Sequence, residues 1–225
     1  MSKKHFVIIL AAGQGTRMGS DVYKQFLILG KKPVLMYSIA KFYQFDKKSI
    51  ISVILPKNKI SFWQSLCQNY NFNIDHNVYS GGNSRYESVK NALNNLPICD
   101  NDIVSIHDGV RPFISIKLIK KLVLSALKKN HAAPYINSKD SIRINLENNK
   151  TQSVNRTNYI FTQTPQVFVG KLIKKAYKKQ SENKTDDVSL IENIVKKVNL
   201  IKGEEINFKI TTKEDWYLAK KIIKS

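Results

Sequence analysis

Phe6-Val7-Ile8-Ile9-Leu10-Ala11-Ala12-Gly13-Gln14-Gly15-Thr16-Arg17-Met18-Gly19 is the stretch on which the fold turns. Residues 5–11 (HFVIILA) fall well short of the ~20 apolar residues a membrane helix needs and read as one buried strand. Lys3, Lys4 and His5 precede the apolar run Phe6 to Ala12, so a secretion signal is the competing reading. The immediate passage into Gly13-Gln14-Gly15 argues instead for a strand feeding a loop. A Gly-rich turn after a buried strand can bring backbone N–H groups against phosphates. Its spacing departs from the two commonest versions. No Gly-Lys-Ser/Thr closes the loop, and Met18 stands where a dinucleotide fingerprint needs a third small residue. The loop carries a cation, Arg17, and Lys24 follows shortly. Two fixed cations beside a phosphate-cradling loop suit a triphosphate attacked at its α-phosphorus.

Outward from this strand, apolar runs alternate with helical patterns. Helical spacing covers 33–45, with Pro33 suited to a first turn, then 58–70, 84–96 and 115–130. Strands are expected at 50–55, 74–79, 102–106 running into His107-Asp108, and 132–136. This order predicts an α/β fold: a mostly parallel, Rossmann-like sheet with helices on both faces. Ligands in such sheets sit at the carboxyl ends of strands, where the first Gly loop and His107-Asp108 fall. The stretch 137–157 breaks the rhythm. It is polar, and its two short alternating pieces, 141–146 and 151–154, flank Glu147-Asn148-Asn149-Lys150, a hairpin pattern. A hairpin this polar is expected to project from the core as an arm or pack on a partner chain. Helices are expected at 169–181, 186–197 and from Lys213, with a strand near 206–210. The reading is one domain, 1–225, with 137–157 as a projecting dimerisation arm.

The chain has 225 residues, 42% hydrophobic and 24% charged, a globular composition large enough for a sizeable core. Its net charge of +20 raises nucleic-acid binding as one function. The lysines occur as scattered pairs such as Lys31-Lys32, Lys128-Lys129 and Lys220-Lys221, with no basic run interleaved with aromatics. That distribution paints the surface rather than a groove, so no specific nucleic acid and no membrane is expected as partner. A positive surface still favours capture of phosphorylated anions. Cys67 and Cys99 make no disulfide framework and complete no metal-ligand spacing, which suits reduced thiols in a cytoplasmic protein. His5, His76 and His131 are unclustered and take no role.

The loop through Lys24-Gln25 resembles the signature of the 2-C-methyl-D-erythritol 4-phosphate cytidylyltransferases. Further similarities follow in order along the whole chain: Gly81-Gly82-Asn83-Ser84-Arg85-Tyr86-Glu87-Ser88-Val89, His107-Asp108-Gly109-Val110-Arg111-Pro112, Arg156, Thr164-Pro165-Gln166-Val167-Phe168, Thr185-Asp186-Asp187 and Asn207-Phe208-Lys209-Ile210-Thr211. Three positions depart from the family pattern. Asn83 stands where Asp is frequent, Ser141 where Thr is commoner, and Gly109-Val110 where Ala-Ala is usual.

The resemblance implies a transfer of CMP from CTP to a small phosphorylated polyol. Arg17 and Lys24 would stabilise charge at the α-phosphorus. Ala11, Ala12, Gly82 and Ser88 would shape the cytidine pocket, with Gly13 and Gly15 in the phosphate loop. Asp108 would lie near Mg²⁺ and the polyol, with Arg111 beside it. Ser141, Thr164 and Lys209 would serve the acceptor. Arg156 would reach the acceptor phosphate from a partner subunit, in a homodimer with exchanged arms. The nucleophile, a phosphate oxygen, is already anionic, so no general base is needed. Alternatives are ribitol 5-phosphate as acceptor, a nucleotidyltransferase using GTP or UTP and, from another class, a basic nucleic-acid-binding protein.

Overall fold

The computed structural model describes residues 3–13, 23–179 and 184–224. In chain order the elements are β1 (His5–Leu10), β2 (Ile28–Leu29), β3 (Lys32–Pro33), α1 (Val34–Phe45), β4 (Ile50–Leu55), α2 (Ile60–Asn69), β5 (Asn77–Ser80), α3 (Arg85–Asn95), β6 (Ile103–Asp108), α4 (Ile116–Lys129), β7 (His131–Asn137), β8 (Ile142–Asn145), β9 (Thr151–Val154), β10 (Ile160–Thr162), β11 (Gln166–Val169), α5 (Gly170–Lys179), β12 (Leu200–Lys202) and α6 (Lys213–Ile222).

An eight-stranded sheet runs β10-β7-β11-β6-β1-β4-β5, with β12 also paired to β7. The pairs β6/β1, β1/β4, β4/β5 and β12/β7 are parallel. The pairs β11/β6, β11/β7 and β10/β7 are antiparallel. The expected parallel-rich sheet is present, and β11 enters it in the opposite direction, between β6 and β7.

Strand β1 shows why the helices divide between two faces. Its side chains alternate across the sheet. Val7 and Ile9 pack with Leu35, Ile39 and Phe42 of α1, Trp63 of α2 and Leu118 and Leu122 of α4. Phe6 and Ile8 pack with Val89 and Leu93 of α3 and Ile173 and Ala176 of α5. Each fully buried aliphatic side chain of this kind contributes about 1.5–3 kcal/mol of transfer free energy, so burial on both faces fixes the strand's register. The helix starts follow side-chain chemistry. Ser84 Oγ accepts from the Glu87 N–H, Ser115 Oγ from Leu118, and Thr212 forms a capping box with Asp215.

Several boundaries differ from the sequence expectation. β5 lies at 77–80 rather than 74–79, and β12 takes a sheet position that periodicity did not show. The helix expected at 186–197 is a single 3₁₀ turn, Val188–Leu190. Its start is tethered by long-range bonds: Gln166 Oε1 accepts from the Val188 N–H, and Asp187 is drawn to Arg85. Tertiary partners there override helix propensity. The segment 206–210 forms no strand. Ile210 donates one backbone bond to Val110, and the buried Ile210 packs with Leu29, Val34 and Ala219.

The polar stretch does form a hairpin, β8 with β9, as a separate two-stranded sheet with exposed Ile144 and Leu146. Among the described residues no helix is long and apolar enough to cross a membrane.

Candidate active site

Parallel pairing brings the carboxyl ends of β1, β4, β5 and β6 to one edge. Leu10 registers with Ile54 and Asp108, and Leu55 with Ser80. The bonds Ala11 N–H to Ile54 O (2.9 Å), Gly81 N–H to Leu55 O (2.8 Å) and Gly109 N–H to Leu10 O (2.8 Å) carry the pairing one residue further. The loops that follow line a cleft of about 710 Å³, whose described walls include Ala11, Ala12, Gly13, Lys24, Gly82, Ser88, Asp108 and Lys209. Eight of the expected site residues therefore meet in one place. Gly15 and Arg17 lie outside the described residues.

The wall formed by the exits of β1 and β5 is built for close approach. A Cβ on Gly81 would stand 2.6 Å from Ala12 Cβ and 2.9 Å from Ser88 Oγ, so only glycine lets this loop lie against β1's exit. The N–H of Gly82 donates to Ser88 Oγ at 3.1 Å, and that of Asn83 to Glu87 Oε2 at 2.6 Å. The Asn83 backbone makes that bond, so replacing Asp by Asn at 83 leaves it in place. Gln25, to which the sequence reading gave no role, is 2% exposed, and its Nε2 donates to Ala11 O at 2.6 Å and to Gly13 O at 3.3 Å. It holds the chain at the exit of β1. Beside it, Lys24 is 8% exposed and its Nζ donates to Thr211 O at 2.8 Å.

At the exit of β6 three cations surround one carboxylate. Asp108 Oδ2 lies 3.1 Å from Lys209 Nζ and 3.3 Å from Arg111 Nε, and Oδ1 lies 3.9 Å from Arg85 Nε. Burial by itself would raise the Asp108 pKa. Lys209, Arg85 and Arg111 together outweigh burial and hold it well below the usual carboxylate range. The carboxylate is therefore ionised wherever the protein is folded near neutral pH.

Behind Asp108 runs a buried relay. Its N–H donates to Thr164 Oγ1 at 3.0 Å, and Thr164 Oγ1 lies 3.2 Å from His107 Nδ1. His107 Nε2 faces the Arg111 carbonyl at 3.2 Å. A carbonyl only accepts, so Nε2 carries the proton and Nδ1 receives the threonine hydroxyl. Burial lowers the His107 pKa to about 4, more than the field of Asp108 raises it, and the ring is neutral at pH 7. Arg111 is also buried, and its Nη1 donates to Asn207 O at 2.8 Å. Thr164 and Arg111 thus grip the Asp108 loop from behind rather than line the described cleft.

Arg85 and Asp187 form the shortest ion pair among the described residues, joining positions 102 residues apart at 2.9 and 2.6 Å. Asp187 is fully buried and also accepts from Tyr177 Oη at 2.6 Å. Burial works against the Arg85 charge, and the Asp187 carboxylate more than offsets it. The sequence motifs contained both residues, yet nothing local reveals that they pair. Asp186, by contrast, caps its own turn through Ser189 and accepts from Thr162 and Gln166. Arg156 and Ser141 stand apart from the cleft. Both are exposed, and Arg156 Nη1 donates to Lys139 O at 2.6 Å at the hairpin's base.

Comparison with known proteins points the same way. The family model for 2-C-methyl-D-erythritol 4-phosphate cytidylyltransferase matches residues 5–225. A protein of that name from Azobacteroides pseudotrichonymphae is 41% identical over 223 residues, 98% of this chain and 99% of the relative. One from Phocaeicola vulgatus is 39% identical over 218 residues, 96% of this chain and 98% of the relative. Among solved structures, the 4-diphosphocytidyl-2C-methyl-D-erythritol synthase of Anaerococcus prevotii superposes with a TM-score of 0.83 at 29% identity, covering 99% of this chain and 97% of that one. With residues 5–225 matched and relatives about 40% identical over nearly their whole length, the chain belongs to the 2-C-methyl-D-erythritol 4-phosphate cytidylyltransferase family.

Proposed function

We propose that the protein transfers CMP from CTP to 2-C-methyl-D-erythritol 4-phosphate with release of pyrophosphate, a step of the non-mevalonate route to isoprenoid precursors. The observation that carries this reading is the cleft itself. Lys24, a close-packed Gly81-Gly82 loop and Asp108 held by Lys209 line it together. A phosphate oxygen of the polyol forms the new bond to the α-phosphorus as the bond to the β-phosphate bridge breaks. Lys24, with Arg17 of the phosphate loop, offsets charge on the triphosphate. Ala11, Ala12, Gly82 and Ser88 receive the cytidine, with Gly13 and Gly15 beneath the phosphates. Lys209 and Asp108 face the acceptor, and Thr164 and Arg111 keep Asp108 in place.

The described residues offer a divalent cation one carboxylate, Asp108, already shared with Lys209, Arg111 and Arg85, so most of its ligands would come from the substrates. Among the described residues no cluster of three or more metal-ligating side chains occurs, and Asp108 is the carboxylate in the cleft's described lining. Mg²⁺ commonly takes one or two carboxylates and completes its shell with substrate phosphates and water. Bound by Asp108 and the nucleotide, Mg²⁺ would supply charge neutralisation between the two polyanions. Free Cys67 and Cys99 fit a cytoplasmic setting.

Pyrophosphate release, measured with each triphosphate and acceptor in turn, tests the assignment. CTP with methylerythritol phosphate is expected to exceed GTP, UTP or ribitol 5-phosphate combinations. Preference for ribitol 5-phosphate would move the acceptor, and preference for GTP or UTP would overturn the nucleotide.

Arg156 and Ser141 sit on an exposed arm away from the cleft, so in this reading they serve the acceptor site of a second subunit. Mixing Lys24→Ala with Arg156→Ala under subunit exchange then places both lesions in one site and leaves the other intact. Activity is expected to recover toward half of normal in each heterodimer, from two nearly inactive parents. Demonstrated exchange without recovery would remove the exchanged-arm arrangement.

A further inference from the structure

Asp215 lies beyond the family motifs quoted above, in the first turn of α6, and it is joined to Lys24 through a single peptide unit. Lys24 Nζ donates to the carbonyl of Thr211 at 2.8 Å. That carbonyl shares its peptide plane with the N–H of Thr212, which donates to Asp215 Oδ2 at 2.9 Å. The same carboxylate oxygen accepts the N–H of Thr211 at 2.8 Å. The Thr211–Thr212 peptide is trans, so its C=O and N–H point in opposite directions. The plane is therefore gripped at both ends, by a carboxylate on one side and an ammonium on the other.

Two physical consequences follow. A bond from a peptide N–H to a charged carboxylate is stronger than a neutral one, and it polarises the peptide so that its carbonyl becomes a better acceptor. The Lys24 ammonium, buried at the cleft wall, is then held by an acceptor whose direction is set by the start of α6. The capping box locks that start, because the Asp215 N–H donates to Thr212 Oγ1 at 3.2 Å. The segment also carries Lys209, whose carbonyl accepts from Thr211 Oγ1 at 3.2 Å.

We propose that Asp215 is a positioning residue for Lys24: through the Thr211–Thr212 peptide its carboxylate aims the Lys24 ammonium at the triphosphate. This rests on the reading of Lys24 as a triphosphate-binding cation. A purely structural Asp215 would do no more than cap α6.

The test is CTP affinity by calorimetry, with Mg²⁺ present, in a double-mutant cycle. Asp215→Asn keeps the size and an oxygen acceptor and removes the charge. It is expected to weaken CTP binding about tenfold in the parent protein and by no more than about twofold in the Lys24→Ala background. Asp215→Ser, equally neutral, is expected to show the same Lys24-dependent loss and replaces the Asn variant if that one is unstable. Ala219→Gly, which removes a buried methyl from the middle of α6, controls for a loosened helix. It should lower the Tm and leave CTP affinity within about twofold. An equal loss in both backgrounds, or none in the parent, overturns the positioning role. If Lys24→Ala alone binds CTP as tightly as the parent, it is the reading of Lys24 that fails instead.

Discussion

Replacing Lys24 by Ala is expected to lower kcat by about 10²–10³, equivalent to about 3–4 kcal/mol of transition-state stabilisation, with the protein still folded. The reasons lie in placement. Lys24 lines the cleft with Gly13 and Gly82, and its ammonium is fixed by Thr211 O. In the proposed reaction Lys24 is a fixed charge beside the α-phosphorus, which needs no reorganisation as negative charge develops, whereas the water that replaces it must reorient. Stability should change little, because truncation opens Thr211 O to a cleft that water can enter. A lost hydrogen bond of that kind costs about 0.5–1.5 kcal/mol, a few degrees of Tm in a chain this size. Steady-state pyrophosphate release with a thermal melt on the same sample checks both halves. Turnover within a few-fold of the parent would remove Lys24 from the reaction.

Asp187→Ala is expected to be the most destabilising single change at the site, by about 3 kcal/mol or roughly 6–12 °C in Tm. Asp187 is fully buried and takes three short hydrogen bonds, two from Arg85 and one from Tyr177. Removing it strands a guanidinium and a phenol that have given up water. Breaking a fully buried pair costs about 3–5 kcal/mol, and the partial exposure of the Arg85 side chain, 29%, places this one at the low end. Activity should fall as well, since Arg85 Nε lies 3.9 Å from Asp108 Oδ1 and loses the partner that fixes its plane. Pairing Arg85→Met with Asp187→Leu separates the two effects. The double variant removes both charges and should regain much of the stability while remaining poorly active. Urea unfolding gives the first quantity and pyrophosphate release the second. A stable, fully active Asp187→Ala would show that the pair does neither job.

The legibility of the sequence followed the length scale of each interaction. Strand β1, the hairpin β8–β9 and helix α1 were readable because their signals are local: seven consecutive apolar or small residues, a turn between alternating pieces, and Pro33 at a helix start. Helix 186–197 and strand 206–210 failed for the opposite reason. Asp187 is held by Arg85 and Tyr177, and Asn207 by Thr164 and Arg111, so distant partners decide the backbone there. The direction of β11 was equally invisible, because a short buried run has the same pattern in either orientation.

The site divides along the same line. By itself the sequence determined which groups are present: a glycine loop unlike the two commonest nucleotide-binding loops, the cations Arg17, Lys24 and Lys209, the carboxylate Asp108, and a motif order sufficient to name the family. Only the tertiary structure decided what those groups do to one another. It turned Thr164 and Arg111 inward as supports, drew Asp187 across to Arg85, and linked Asp215 to Lys24 through one peptide. The physical reason is that charge and conformational preference belong to residues and can be read in order along the chain. Desolvation and hydrogen-bond partnership belong to pairs that meet only when the sheet brings distant strand ends to one edge.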